Sequence, residues 1–265
     1  MNMKFNLKRQ YFSIPYIIFL SLFVVIPILL IVFYAFTNPQ GQFSFDAAKK
    51  FFTDGTRWQV ILVSLFMAVE TTLLCLLIGY PIAYILASKK CNKNLVLAML
   101  FIMPMWINFV LRTTATRDIL FAINIKGGNL PYLATLIGMV YNYLPFVILP
   151  LYTTMLKLDH NQMEAASDLG ANPFQVFIHN VLPQTIPGII SAVTMTLVPV
   201  MSSYVISDAL SEGNITLIGN FIYIAFANNQ WNNGSFMAFV LFILVIISMI
   251  ATRGKEADQN RGSLW

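Results

Sequence analysis

Charged residues are scarce in this 265-residue chain, at 10% of positions, whereas an ordinary soluble domain has roughly 25%. Hydrophobic residues make up 58% of the chain and include 22 Phe and 13 Met. A soluble domain of this composition would expose apolar patches large enough to cause aggregation. The composition therefore excludes an ordinary soluble domain and indicates a membrane protein.

Cysteine and histidine are also rare. Cys75 lies in an apolar stretch and Cys91 in a Lys-rich one, with no Cys-x-x-Cys or Cys–His spacing, so neither a disulfide nor a metal cluster is expected. His160 and His179 belong to no grouping of Cys and carboxylate residues with metal-ligand spacing. We expect this chain to bind no metal and to carry no catalytic site of its own.

The chain also lacks a nucleotide-binding motif. Its Gly254–Lys255 pair is followed by Glu256, so the P-loop pattern G-x-x-x-x-G-K-[ST] is missing. The formal net charge of +5 comes from Lys and Arg in short groups between apolar stretches. Because these groups form no basic stripe, we expect no nucleic-acid partner.

Six apolar stretches approach the length of about 20 residues that a helix needs to cross a bilayer core. They are residues 14–36, 59–87, 95–111, 133–156, 185–206 and 235–251. The first resembles a signal peptide but is too long and is followed by no A-x-A site, so we expect it to be retained. The sequence predicts an all-α polytopic membrane protein with six transmembrane helices. We expect residues 1–265 to form a single transmembrane domain.

Lys and Arg are distributed unevenly between the two sides of this topology. Ten of the 16 lie at the termini or in the second and fourth connections, and six lie on the other side. Positive residues accumulate in cytoplasmic loops. The distribution predicts a multi-pass protein of a bacterial cytoplasmic (inner) membrane with both termini in the cytoplasm.

The connection between the fourth and fifth stretches, residues 159–183, has the sequence features of two short helices. Asp159 can cap the first helix, and Gly170 can end it in the left-handed conformation. Pro173 suits the first turn of a second helix, and we expect Pro183 to stop that helix. The sequence predicts a cytoplasmic helical loop.

Apolar residues in the second short helix recur at i, i+3, i+4 and i+7, which predicts one apolar face. They are Phe174, Phe177, Ile178 and Val181. In the first helix, Ala165 and Ala166 leave room for a partner surface to approach Glu164. These features favour a docking element, and an ordinary amphipathic helix on the membrane surface is the alternative.

One motif in this loop resembles the EAA signature of bacterial ABC-importer permeases. Its matching residues are Glu164, Ala165, Ala166, Gly170, Leu182 and Pro183, while Asn180 replaces a usual aliphatic residue. The resemblance implies that the loop seats in a cleft of a cytoplasmic ATPase. Two ATP-binding subunits would then hold the ATP and Mg²⁺, and this chain would bind no cofactor.

A second motif resembles the spermidine/putrescine permeases of the PotB type. Pro104, Trp106, Asn108 and Arg112 match a P-x-W-x-N-x-x-x-R pattern, and the similarity extends over nearly the whole chain. The resemblance implies an importer of polyamines that pairs with a second homologous permease as a heterodimer. It also implies an extracytoplasmic polyamine-binding protein as a partner.

A linear polycation needs carboxylates for its ammonium groups and aromatic faces along its stem. Our candidates for the substrate pathway are Trp106, Tyr204, Asp208 and Glu70. Glu70 lies in the middle of an apolar stretch, where an ionisable group is costly and suggests function. Its alternative role is a structural partner for a Thr or Tyr on another helix. Trp106 has the alternative role of an interfacial anchor.

Arg112 would repel a polycation, so we expect it to form an interfacial or structural ion pair, with Asp118 as the candidate partner. Competing functions are an ABC permease for another small solute and an ATP-independent secondary transporter that uses Glu70 and Asp208 as an ion relay. The secondary transporter predicts inverted repeats, which the sequence lacks. A membrane-embedded enzyme would need a catalytic constellation inside the apolar stretches, where Glu70 stands alone.

Overall fold

The computed structural model describes residues 14–88 and 94–262, and this part of the chain is helical without a β-strand. We number its helices α1 Ile14–Leu20, α2 Ile26–Ala35, α3 Asp46–Thr53, α4 Gly55–Ala87, α5 Asn94–Ile102, α6 Phe109–Ala122, α7 Pro131–Met155, α8 His160–Asp168, α9 Pro173–Val176, α10 Leu182–Ser202, α11 Tyr204–Ser211, α12 Ile218–Ala227 and α13 Trp231–Gly262. π-helical turns at Ser21–Val25 and Phe177–Val181 join α1 to α2 and α9 to α10. The all-α prediction is confirmed.

Within the described residues 14–88 and 94–262, five helical segments are long and apolar enough to cross a membrane. They are Pro15–Ala35, Gly55–Ala87, Pro131–Met155, Pro173–Ser202 and Trp231–Ile250. The pair Val96–Trp106 and Phe109–Ala122 makes a sixth if it is counted as one broken span. The predicted multi-span architecture is therefore confirmed.

The third predicted helix, residues 95–111, is wrong as a continuous helix. A 3₁₀ turn at Met103–Trp106 leads into extended backbone at Ile107, and the chain bends by 97° before α6. The bend is stabilised by Asn108, whose side chain accepts hydrogen bonds from the backbone N–H groups of Val110 (2.9 Å) and Leu111 (3.3 Å). This N-cap starts a new helix at the point where the sequence predicted an uninterrupted one.

Pro183 does not end the second loop helix, contrary to our expectation. The helix continues to Ser202, because the π-turn before Pro183 widens the backbone and Leu182 N–H donates to Phe177 O. A wider turn relieves the clash that a proline ring makes in a regular helix. The second loop helix and the fifth span are thus one helix, Pro173–Ser202.

The fifth predicted stretch also ends earlier than expected, at Ser202 instead of Ile206. Ser203 has extended backbone (ψ 101°), so Tyr204 and Asp208 lie on the separate short helix α11. The backbone of Gly219 closely approaches Ser202 O. The chain after α11 is held by Ser64, whose Oγ accepts from Ile218 N–H at 2.8 Å.

The chain divides into two compact units. Of the described residues, the first unit comprises those up to Trp58 together with Ile222–Ile243, and the second comprises the others. The second is built on α7, which packs against α6, α10 and α11. Its fully buried side chains include Met139, Ile148, Leu151, Met155 and Leu210.

The first unit contains an aromatic cluster and a side-chain cap at the end of α2. Phe36 contacts the rings of Phe45, Phe236 and Phe239 edge-on at 5.4–6.1 Å. Asn232 Nδ2 donates to Thr37 O (2.6 Å) and Tyr34 O (3.1 Å). This amide caps the C-terminal end of α2 and ties it to the first turn of α13.

Gly219→Ala should destabilise the protein, because the new Cβ would overlap Ser202 O and backbone cannot rotate away as a side chain can. We expect a loss of about 1–3 kcal/mol, the usual cost of overpacking. Gly55→Ala is the matched control, since an added Cβ there meets no atom within 4 Å. Thermal unfolding of both variants in detergent checks this, and equal midpoints would contradict the close approach.

Candidate functional site

The loop between α7 and α10 begins as the sequence predicts. Asp159 caps α8 by accepting from Asn161 N–H at 3.0 Å, and its own N–H donates to Gln184 Oε1 at 3.1 Å. Gly170 ends α8 with a φ of 87°, in the left-handed region. Ala171 N–H donates to Ala166 O at 3.0 Å, which closes the helix end.

Asn172 starts α9 with a reciprocal capping box. Its Oδ1 accepts from Gln175 N–H at 2.8 Å, and Gln175 Oε1 accepts from Asn172 N–H at 2.9 Å. The restart at Pro173 is confirmed. The partner Gln175 was missed, although an Asn followed three residues later by a Gln is a recognised helix-start pattern.

The predicted apolar face of the second loop helix is wrong in part. Val176 and Val181 are buried, whereas Phe174 is 70% exposed and Ile178 is 37% exposed. Phe177 packs edge-on against Tyr80 and Tyr84 of α4, with ring centroids 5.8 and 6.4 Å apart. The π-turn adds a residue to the helical repeat and so changes which side chains face inward.

A groove of about 440 Å³ lies between α8 and the start of the α9–α10 helix. Its lining includes Tyr84, Met163, Glu164, Ser167, Asp168 and Phe177. Glu164 and Asp168 are exposed carboxylates one turn apart, and the neighbouring Leu169 is 90% exposed. A surface with acidic groups beside an exposed leucine suits the docking of a protein partner.

Glu70 has the structural partner that the sequence left open as an alternative. Tyr132 Oη, at the start of α7, donates to Glu70 Oε2 at 2.6 Å. Glu70 is half-buried and Tyr132 is 38% exposed. The hydrogen bond ties α4 to α7, and it leaves the transport role of Glu70 a prediction.

The other three pathway candidates lie on two different elements. Tyr204 and Asp208 are four residues apart on α11, and both are exposed. Trp106 lies in the 3₁₀ turn before the 97° bend, with 82% of its surface exposed. The structure therefore brings Tyr204 and Asp208 onto one helix face, and their roles and that of Trp106 stay predictions.

Arg112 does not pair with Asp118, contrary to our expectation. Asp118 is instead within 3.2 Å of Arg117. Arg112 is buried, and its Nε donates to Asn142 Oδ1 while its Nη1 donates to Pro104 O, both at 2.8 Å. Asp118 is six residues further along α6, on another face of the helix.

The three groups of this Arg112 clamp (Arg112, Asn142 and Pro104 O) join both arms of the bent pair to α7. The ring of Tyr141 adds a cation–π contact at 5.9 Å. Sequence reasoning missed Asn142, although an amide inside an apolar stretch needs a polar partner and was a usable signal. The clamp and the N-cap together explain three residues of one motif: Pro104 supplies the carbonyl and Arg112 the donor of the clamp, and Asn108 caps α6.

Comparison with known proteins identifies the family. Residues 77–254 match the family model described as "Binding-protein-dependent transport system inner membrane component". The chain belongs to this family. The matched region contains the loop groove and the Arg112 clamp, and the resemblance to importer permeases is confirmed.

Named members of this transport family are similar over most of the chain. The "Spermidine/putrescine transport system permease protein PotB" of Haemophilus influenzae is 34% identical over 263 residues, which cover 91% of this chain and 92% of that protein. PotB of Escherichia coli K12 is 33% identical over 255 residues, covering 87% of this chain and 91% of its own length. The Mycoplasma genitalium "PotB homolog" is 24% identical, with coverage of 85% and 82%.

Two solved structures share the fold of this family member. One is a bacterial ABC transporter involved in alginate import, with a TM-score of 0.67, 16% identity and coverage of 92% of this chain and 94% of that one. The other is an alginate ABC transporter in complex with a pentasaccharide-bound periplasmic protein, with a TM-score of 0.71, 11% identity and coverage of 92% and 91%. At these identities the likeness supports the architecture alone.

Proposed function

We propose that this inner membrane transport component imports the polyamines spermidine or putrescine, driven by ATP that a separate subunit pair hydrolyses. The substrate assignment rests on the identity of 33–34% with spermidine/putrescine permeases over about nine-tenths of the chain. The Arg112 clamp supports it, because Arg112 and Pro104 belong to the motif that resembles the polyamine permeases. The chain itself is a non-catalytic subunit.

Chain connectivity favours six crossings. Asn232 bonds to Thr37 O, so α2 ends and α13 begins on the same face of the membrane. An even number of crossings must then lie between them. Helices α4, α7 and α10 provide three, and α11 and α12, with 8 and 10 residues, are too short to cross. The bent pair α5–α6 supplies the fourth.

Six crossings put both termini and the α8–α9 loop on one face. We assign this face to the cytoplasm, because the termini and adjoining loops carry ten of the 16 Lys and Arg residues. The loop would then meet the ATP-binding subunits. The first part of the EAA motif lies on α8 and comprises Glu164, Ala165 and Ala166. Its last two residues are the first two of α10, Leu182 and Pro183.

The continuous helix Pro173–Ser202 gives this loop a mechanical connection to the bundle. It packs along α7, where Gly188 lies so close that an added Cβ would be 2.7 Å from Thr154 Oγ1. Closure of the ATPase pair, with its ATP and Mg²⁺, would move the loop and rotate this helix as a rigid element. That motion alternates access between the two faces.

The substrate pathway is proposed to include Trp106, Tyr204, Asp208 and Glu70. Exposed Tyr204 and Asp208 offer an aromatic face and a carboxylate to an ammonium group. One chain of this size forms half of a pathway, so we propose a second, homologous permease as a heterodimeric partner. An extracytoplasmic polyamine-binding protein would deliver the substrate.

Uptake of radiolabelled spermidine and putrescine tests the function in cells that lack their own system and express the complete complex. We expect excess unlabelled polyamine to inhibit the labelled uptake and neutral solutes to leave it unchanged. Asp208→Asn should lower it about tenfold, equivalent to one lost charge-assisted contact of about 1.4 kcal/mol. Glu212→Gln is the matched control, a nearby carboxylate at the C-terminal end of α11, and should transport normally.

If the assembled complex hydrolysed ATP but took up no polyamine, the assignment of polyamines as the substrate would be wrong. The assignment of the chain to an importer would stand. Normal uptake by Asp208→Asn would remove that carboxylate from the pathway.

A further inference from the structure

A cavity of about 410 Å³ lies within the first compact unit, where α2 ends and α13 begins. The residues that matter for its chemistry are Tyr34, Trp231, Asp46 and Lys50. Asn232 fixes its floor by bonding to the carbonyls of Tyr34 and Thr37. The cavity is remote in sequence from the coupling loop and contains none of the proposed pathway residues.

The position of this cavity corresponds to the membrane interface. It adjoins the last turn of the apolar segment Pro15–Ala35, whose mean hydropathy is 3.1 and which has no buried residue in its most apolar window. Trp231 begins the span on its other side. The rings of Tyr34 and Trp231 are 6.5 Å apart, and such aromatic pairs are typical of headgroup depth.

The two charged side chains in the cavity have opposite signs and do not form an ion pair with each other. Asp46 and Lys50 lie one turn apart on α3, are both exposed, and take part in neither of the ion pairs found among residues 14–88 and 94–262. A simple cation would be repelled by Lys50, and a simple anion by Asp46. A zwitterion with two charges a few bonds apart satisfies both.

We propose that this cavity binds the headgroup of a zwitterionic aminophospholipid, phosphatidylethanolamine in type. The ammonium meets Asp46 and the faces of Tyr34 and Trp231, where cation–π attraction adds to the charge. The phosphate meets Lys50, and the acyl chains lie along the exposed side chains of Leu29, Leu30 and Phe33. The lipid would hold the first unit at a fixed depth in the bilayer.

The test uses the complete transporter in nanodiscs with equal amounts of phosphatidylethanolamine and phosphatidylglycerol, followed by native mass spectrometry of the lipids retained in detergent. We expect phosphatidylethanolamine to be retained about fivefold over phosphatidylglycerol, as one favourable and one unfavourable interfacial charge contact predict. Asp46→Asn should reverse the preference, because Lys50 then faces the cavity alone. Lys50→Gln should lower the retention of phosphatidylethanolamine without a gain in phosphatidylglycerol.

Lys49→Gln is the matched control, because Lys49 is an exposed neighbour on α3 outside the cavity lining; it should retain lipids as the wild type does. Unchanged ATPase activity and melting temperature show that each variant is folded. Equal retention of the two lipids, or an unchanged preference in Asp46→Asn, overturns the proposal. Displacement by glycerophosphoethanolamine would indicate a soluble ligand, and displacement by spermidine a substrate site; either result overturns the lipid assignment.

Discussion

Glu164→Arg abolishes ATP-driven uptake while the subunit still folds and inserts. Glu164 is exposed in the groove beside α8 and takes part in neither of the ion pairs of the described residues, so its replacement breaks no ion pair there. A reversed charge at a docking surface juxtaposes like charges and costs several kcal/mol. We expect uptake to fall by on the order of 100-fold.

The measurement compares uptake with the amount of ATPase that copurifies with the permease. Asn161→Arg is the matched control, since Asn161 is exposed on the same helix but does not line the groove. It should leave uptake and ATPase association close to wild type. If Glu164→Arg transported normally, or Asn161→Arg failed equally, the groove would not be the coupling surface.

Arg112→Met destabilises the fold more than any other single change considered in the second unit. The substitution leaves Pro104 O and Asn142 Oδ1 without the donor that each has at 2.8 Å. Asn142 Oδ1 then becomes a buried acceptor without this donor, while half-buried Pro104 O keeps its hydrogen bond from Ile107 N–H at 3.2 Å. We expect the two losses together to cost about 3 kcal/mol. The 97° bend loses its connection to α7 as well.

Cys75 provides the readout for this prediction. Its thiol is fully buried on α4, near Val140 O at 3.5 Å, so a thiol-reactive dye labels it only on unfolding. In a Cys91→Ser background, Arg112→Met should lower the labelling temperature by several degrees. Arg117→Met is the control: its ion pair with Asp118 is exposed, and such pairs contribute about 0–1 kcal/mol. Equal shifts for the two variants would refute the clamp.

The sequence predicts those features that depend on local pattern. Apolar length predicts the spans, and residues such as Asp159, Gly170 and Pro173 predict where the loop helices start and stop, because capping involves neighbours a few residues apart. The resemblance to the importer family also follows from short motifs. These predictions were confirmed, except for the continuous third helix and the stop at Pro183.

A polar group inside an apolar stretch signals that it has a partner, but the sequence does not predict which distant residue that partner is. Arg112 finds Asn142 thirty positions away, and Glu70 finds Tyr132 sixty-two positions away; only the folded arrangement of α4, α6 and α7 brings them together. The π-turn before Pro183 is likewise a compromise between a proline and continued packing of α10 on α7. Periodicity assumes a regular helix, so it misassigned the buried face there.

Spermidine transport by the purified complex in proteoliposomes is the most direct test of the central claim. The complex of this chain, its partner permease, the ATPase pair and the binding protein is reconstituted, and accumulation of labelled spermidine is measured with ATP or with a non-hydrolysable analogue. The account predicts accumulation only with hydrolysable ATP, and its loss in Glu164→Arg. Accumulation that needs no ATP hydrolysis would contradict it.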